Sequence, residues 1–218
     1  MGNPDLEPVR AALRSRYERS LREHGPESSR AVGWRDPELQ SLRFELLARV
    51  MEGIEPVSVA DFGCGTGALF SHLAARAEPP PLAAYTGYDL VPDMIAAARA
   101  AIDDPRARFA VGTEVAEDAD YVFCSGALTI RPGLSDEEWE PHVRSALRRL
   151  WERARRGLAF NLPNDAVERA GDDVYAGDPR AWAAWCMREL PDAAVALHSG
   201  PPLLEFTVLV RRTPRAHA

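Results

Sequence analysis

Apolar residues at Leu6, Val9, Leu13, Tyr17 and Leu21 recur every three or four positions, the period of a helix with one buried face. The spacing predicts a helix over 5–24, closed by His24-Gly25-Pro26. Asp36 followed by Pro37 is a cap with proline in the first turn, and it opens a second helix through Leu39, Leu42, Phe44, Leu47 and Val50. From Val57 the pattern changes to short β-branched runs alternating with Ala- and Leu-rich helical segments. Strands are predicted at 57–62, 83–89, 108–111, 121–124 and 157–161. Helices are predicted at 68–77, 92–102, 136–155 and 179–190, the third opened by a capping box of Ser135 and Glu138. Residues 164–177, rich in Asp and Gly, read as an irregular insertion.

The last two apolar runs, 193–198 and 203–210, are joined only by Ser199-Gly200-Pro201-Pro202. So short a junction cannot hold a crossover helix, so these strands are antiparallel. The expected fold is α/β: a Rossmann-like, doubly wound sheet, mostly parallel, with a C-terminal antiparallel hairpin strand and an N-terminal helical cover. One domain over 1–218 is expected, with the cover at 1–55, the core at 56–212 and a tail at 213–218.

The chemistry concentrates where the first strand ends. Asp61-Phe62-Gly63-Cys64-Gly65-Thr66-Gly67 places three glycines at alternate positions between strand and helix. Glycine permits the sharp turn and lets a ligand approach the backbone. Gly63, Gly65 and Ala68 also satisfy the dinucleotide fingerprint, so the glycines alone leave a nicotinamide-dependent oxidoreductase open. Asp61 could accept from a cationic amino group. Asp89, ending the next strand, could take two ribose hydroxyls, which suits either cofactor.

With the elements Tyr85-Thr86-Gly87-Tyr88-Asp89, Pro92-Asp93-Met94-Ile95 and Ala119-Asp120-Tyr121-Val122-Phe123-Cys124-Ser125-Gly126, the chain resembles the class I S-adenosylmethionine-dependent methyltransferases over about 57–212. Its flanks, 34–47 and 203–212, resemble those of a bacterial subgroup. The resemblance implies S-adenosylmethionine as cofactor. Gly63, Cys64, Gly65 and Gly67 would follow its methionine and ribose portions, Asp61 its amino group and Asp89 its ribose hydroxyls. Leu90 and Met94 would pack on the adenine, with Thr113 and Glu114 near the adenine amino group. Ser125 and Gly126 would lie against the methyl. In the cover, Tyr17, Trp34 and Arg43 are candidates, Arg43 for a fork on the cofactor carboxylate. His198 is the candidate general base, while His72 and His142 read as peripheral. Asn161, Tyr175 and Glu205 are candidate acceptor contacts.

Composition narrows the acceptor. The formal charge is −7 and all 26 cations are arginine, with no lysine. That excludes Schiff-base chemistry and argues against nucleic acid, which wants a basic face. The arginines of 144–156 alternate with Leu147, Leu150 and Trp151 and read as a solvated helix face. Cys64, Cys124 and Cys186 are too scattered for a disulfide framework or a metal site. No apolar run approaches the ~20 residues of a membrane span, and the start lacks a signal pattern, so no membrane contact and a cytoplasmic location are expected. A small-molecule acceptor is the favoured substrate. Methylation of a protein side chain, or cofactor binding without catalysis, are the alternatives.

Overall fold

The computed structural model describes residues 6–34, 36–167 and 171–213. Two helices, α1 (Glu7–His24) and α2 (Pro37–Ala48), flank a short 3-10 turn at Ser29–Val32. There follow β1 (Val57–Phe62), α3 (Ala68–Ala75), β2 (Leu82–Asp89), α4 (Pro92–Ala101), β3 (Ala107–Val111) and β4 (Ala119–Ser125). The chain continues through α5 (Asp136–Arg153), β5 (Ala154–Pro163), α6 (Pro179–Glu189), β6 (Ala193–Ser199) and β7 (Glu205–Arg212). The predicted caps are formed. The Asp36 carboxylate accepts from the amides of Glu38 and Leu39, and Ser135 and Glu138 close their reciprocal box.

The strands form one sheet in the order β3-β2-β1-β4-β5-β7-β6, in which β7 is antiparallel to both neighbours and all other pairs are parallel. The antiparallel hairpin is as expected, but β7 is inserted between β5 and β6, leaving β6 at the edge. Helix α5 is shorter than predicted, because the chain becomes extended at Ala154 and enters β5 directly. Arg212 holds that junction, donating to the carbonyls of Ala154 and Trp151, each at 2.8 Å, with its guanidinium over the Trp151 ring. Arg155 and Arg156 therefore belong to a strand rather than a helix face. Arg144, on the helix, stacks on Trp182 and Trp185 instead of standing free in solvent.

Side chains alternate across the sheet into two cores. Val122, Cys124, Leu158, Phe160, Val208 and Val210 face α5 and α6, where Trp139, Trp151, Trp182 and Trp185 are buried. Val57, Val59, Tyr121, Phe123, Ala159 and Leu209 face α2, α3 and α4. With both faces covered, strands in mid-sheet are buried nearly throughout, as parallel strands require. Connections run from β1 outward to β2 and β3, then return to β4 on the other side. That reversal opens a crevice beyond the carboxyl ends of β1 and β4.

Candidate functional site

The crevice is built around Asp61. Its side chain is buried at 2% exposure, and Oδ2 accepts the Tyr85 hydroxyl at 2.5 Å. Its other oxygen, Oδ1, is buried with no partner. Burial raises the Asp61 pKa to about 7, against the pull of the Tyr85 hydrogen bond, and the charge of Asp89 adds to the rise. A buried carboxylate with an unused oxygen is a strong demand for a cationic donor.

The glycine loop is held against the end of β2. The amides of Gly63 and Cys64 both donate to the Tyr88 carbonyl, at 2.8 and 3.0 Å. Asp89 receives the Gly65 amide on Oδ2 at 2.8 Å and the Val91 amide on Oδ1 at 2.9 Å, while burial raises its pKa. Gly65 has φ +54°, and a Cβ there would stand 2.6 Å from Val32 of the cover, so the position admits only glycine without rearrangement. Across the crevice, Gly126 has φ +72° and a Cβ would lie 2.8 Å from the Trp34 ring.

Loop and cover together line a cavity that opens to solvent at its mouth. Asp61, Gly63, Cys64, Gly65, Asp89, Leu90, Met94, Thr113, Ser125 and Gly126 line it, as do Tyr17 and Trp34 from the cover. Burial lifts the Tyr17 pKa to about 12 and pushes the Cys64 thiol up, so the first is a neutral wall and the second no ready nucleophile. Acid gathers at the glycine loop. Arg10 and Arg149 line the side where α1 passes α5.

The remaining candidates lie elsewhere. Gly67 caps α3 behind the loop, beside Ile102 and Phe109. Glu114 is turned to the surface, 3.7 Å from Arg149. Arg43 is not free for a ligand carboxylate. It is buried, its Nε and Nη2 donate to the two oxygens of Glu205, and Trp34 lies on its guanidinium at 4.0 Å. Glu205 is consumed by the same pair. Tyr175 donates to Glu140 at 3.2 Å and packs edge-on to Trp182, which makes it a support of the insertion. His198 is carried away from the crevice because β7 intervenes between β5 and β6. Burial lowers its pKa, helped by Arg49 and Arg211. His142 is the opposite correction: it lines the cavity, and burial with Arg149 and Arg10 lowers it to about 4. Its place one turn from Trp139, whose ring it meets at 4.6 Å, was the available signal. Asn161 accepts the Gly126 amide at 2.8 Å, just behind the cavity wall. Among the described residues no group of three or more His, Cys, Asp or Glu could hold a metal ion, and no helix is long and apolar enough to cross a membrane.

Doubly wound topology, with a glycine loop between two acids at the switch point, is the arrangement of a nucleoside-cofactor site. Comparison with known proteins supplies the family. The methyltransferase-domain family model matches residues 60–157. A Mycobacterium tuberculosis protein named as a methyltransferase, Rv1506c, is 34% identical over 167 residues, which are 75% of this chain and 98% of that protein. The chain belongs to the class I S-adenosylmethionine-dependent methyltransferase family. Among solved structures, magnesium protoporphyrin IX methyltransferase of Synechocystis PCC 6803 with bound SAH superposes with a TM-score of 0.68 at 15% identity, covering 96% of this chain and all (100%) of that one. The DhpI–SAH complex gives 0.62 at 18% identity, covering 99% and 100%. At those identities the likeness is one of fold.

Proposed function

We propose that the chain transfers the methyl group of S-adenosylmethionine to a small-molecule acceptor. The observation that carries this reading is the unpartnered Oδ1 of Asp61, buried beside the glycine loop, which suits an α-ammonium group. Asp61 would hold that group. Asp89, whose carboxylate keeps spare lone pairs after accepting two backbone amides, would take ribose hydroxyls. Leu90 and Met94 would pack the adenine, and Ser125 and Gly126 would stand near the methyl. When bound, the cofactor supplies an activated sulfonium, so transfer is an in-line displacement. The chain's task is to align the acceptor and exclude water, which for good orientation amounts to ~7–11 kcal/mol of the barrier.

The cavity supports a small acceptor, because α1 and Trp34 wall it from the cover side. The excess of acids disfavours nucleic acid. The bound structures above contain SAH, the demethylated cofactor, which supports the same ligand here. Calorimetric titration of the native chain and Asp61→Asn with SAH and with NAD tests the reading. Native protein should bind SAH and not NAD, and Asp61→Asn should lose SAH affinity by about tenfold or more. Binding of NAD in preference to SAH would overturn it.

A further inference from the structure

The buried polar residues of this protein are not scattered. Among the described residues these are Gln40 and Arg43 on α2, which packs on β4, β5 and β7, and Asp61, Asn161, Glu205 and Thr207 near one end of the sheet. Register sets Asn161 and Thr207 side by side with Ser125, and Asp61 and Glu205 two residues off that line on the same face. Asp61 pairs with Phe123, and Ser125 stands two residues further along β4 on the same face. Ser125 pairs with Asn161, and Asn161 with Thr207. The row leads sideways from the carboxylate assigned to the cofactor's ammonium.

Besides Asp61 Oδ1, two groups in it lack partners: the Ser125 hydroxyl and the Asn161 Nδ2, both buried. The Asn161 amide orientation is set, since its Oδ1 accepts the Gly126 amide at 2.8 Å, which leaves Nδ2 as a hydrogen donor. Asn161 is 3% exposed, so an unused donor there is costly. We propose that Ser125 and Asn161 form the acceptor subsite and that its ligand is a carboxylate, methylated to an ester. This rests on the S-adenosylmethionine reading above.

Ser125 lines the cavity and Asn161 stands directly behind it beside the Gly126 amide, so a carboxylate entering from the cavity meets two adjacent donors for its two oxygens. The other charges in the row are balanced: Glu205 is neutralised by Arg43, and Asp61 is opposed by the ammonium it would hold. A carboxylate is also already ionised. Its oxygen forms the new O–C bond while the C–S bond breaks, the electron pair goes to sulfur, and no proton moves. That suits the described residues. Glu205 is tied to Arg43, His198 lies outside the cavity, and His142 lines it on the α5 side, beside Trp139.

The test uses tritium-labelled S-adenosylmethionine with acceptor sets built on naphthalene, indole and octane skeletons. Each skeleton carries a carboxylate, hydroxyl, amine or thiol. Transfer to the carboxylate should exceed transfer to its matched analogues by at least about tenfold, the scale of a hydrogen bond to a charged group. The product should release its label as methanol in mild alkali, as an ester does. Asn161→Asp keeps the acceptor for Gly126 but replaces the Nδ2 donor with an oxygen. It should abolish the carboxylate preference while SAH affinity stays within about threefold, and Ser125→Ala should weaken the preference in the same direction. Preferred transfer to a hydroxyl, amine or thiol overturns the inference. So does rejection of every carboxylate by a chain that binds SAH, or a preference unchanged in both variants. Failure of the native chain to bind SAH removes the underlying reading as well.

Discussion

Tyr85 donates its hydroxyl hydrogen to Asp61 across the β1–β2 pair, at 2.5 Å, and leaves one carboxylate oxygen facing no protein donor. The bond holds the acid in place and lowers its pKa, while burial raises it to about 7. Cofactor affinity should therefore depend on pH near neutrality. An ammonium binds ionised Asp61, so SAH affinity should fall by about tenfold per pH unit below 7 and level off above about 8. Tyr85→Phe removes the pull downward and should move that fall to higher pH. Calorimetric titration of both proteins between pH 5.5 and 8.5 measures the shift, and coincident profiles would contradict it.

The same acid costs the unliganded fold stability. Its folded pKa of about 7 lies above the unfolded value of 3.8, so its contribution is complete below about pH 4 and is lost as pH rises through 7. By linkage the loss is at most ~4 kcal/mol, at ~1.4 kcal/mol per pKa unit. Asp61→Asn keeps an oxygen for Tyr85 and removes the charge. At pH 8 it should unfold at a higher temperature than the native chain when both are unliganded, and added SAH should reverse the order. Thermal unfolding with and without SAH decides this.

Arg43 and Glu205 form a bidentate pair in which each side chain is about 8% exposed, so removing one partner leaves a charge in the core. Arg43→Met alone should cost about 3–5 kcal/mol in denaturant unfolding. Arg43→Met combined with Glu205→Leu should recover much of that loss. A sum of independent single losses in the double variant would show that the two residues do not act as a pair.

His198 sits on the edge strand beyond β7 and does not line the cavity. His198→Ala should leave the rate of methyl transfer within about twofold of native, since surface changes away from a site are usually small. A loss of a hundredfold would place this histidine in the reaction.

Much of this architecture was legible because it is local. A change of period from two to 3.6 at a glycine run marks a strand, loop and helix whatever surrounds it, and Asp61 and Asp89 are fixed by their places at strand ends. What was hidden depends on distant pairing. A short junction shows that β6 and β7 are antiparallel, but not that β7 rather than β6 lies beside β5. That choice removed His198 from the crevice and put Glu205 beneath Arg43. The row from Asp61 to Ser125, Asn161 and Thr207 exists only through the register of four strands. His142 is on a helix with an evident apolar stripe, but its exposure to the cavity follows from the path of α1 beside α5.

What the free oxygen of Asp61 holds is measured most directly by a crystal structure of the chain with SAH. The amino nitrogen of SAH should lie within hydrogen-bond distance of Asp61 Oδ1, about 2.7–3.2 Å, with the sulfur toward Ser125 and Gly126. SAH bound with that nitrogen remote from Asp61, or a crevice that takes a diphosphate on the Gly63 and Gly65 amides instead, would contradict it.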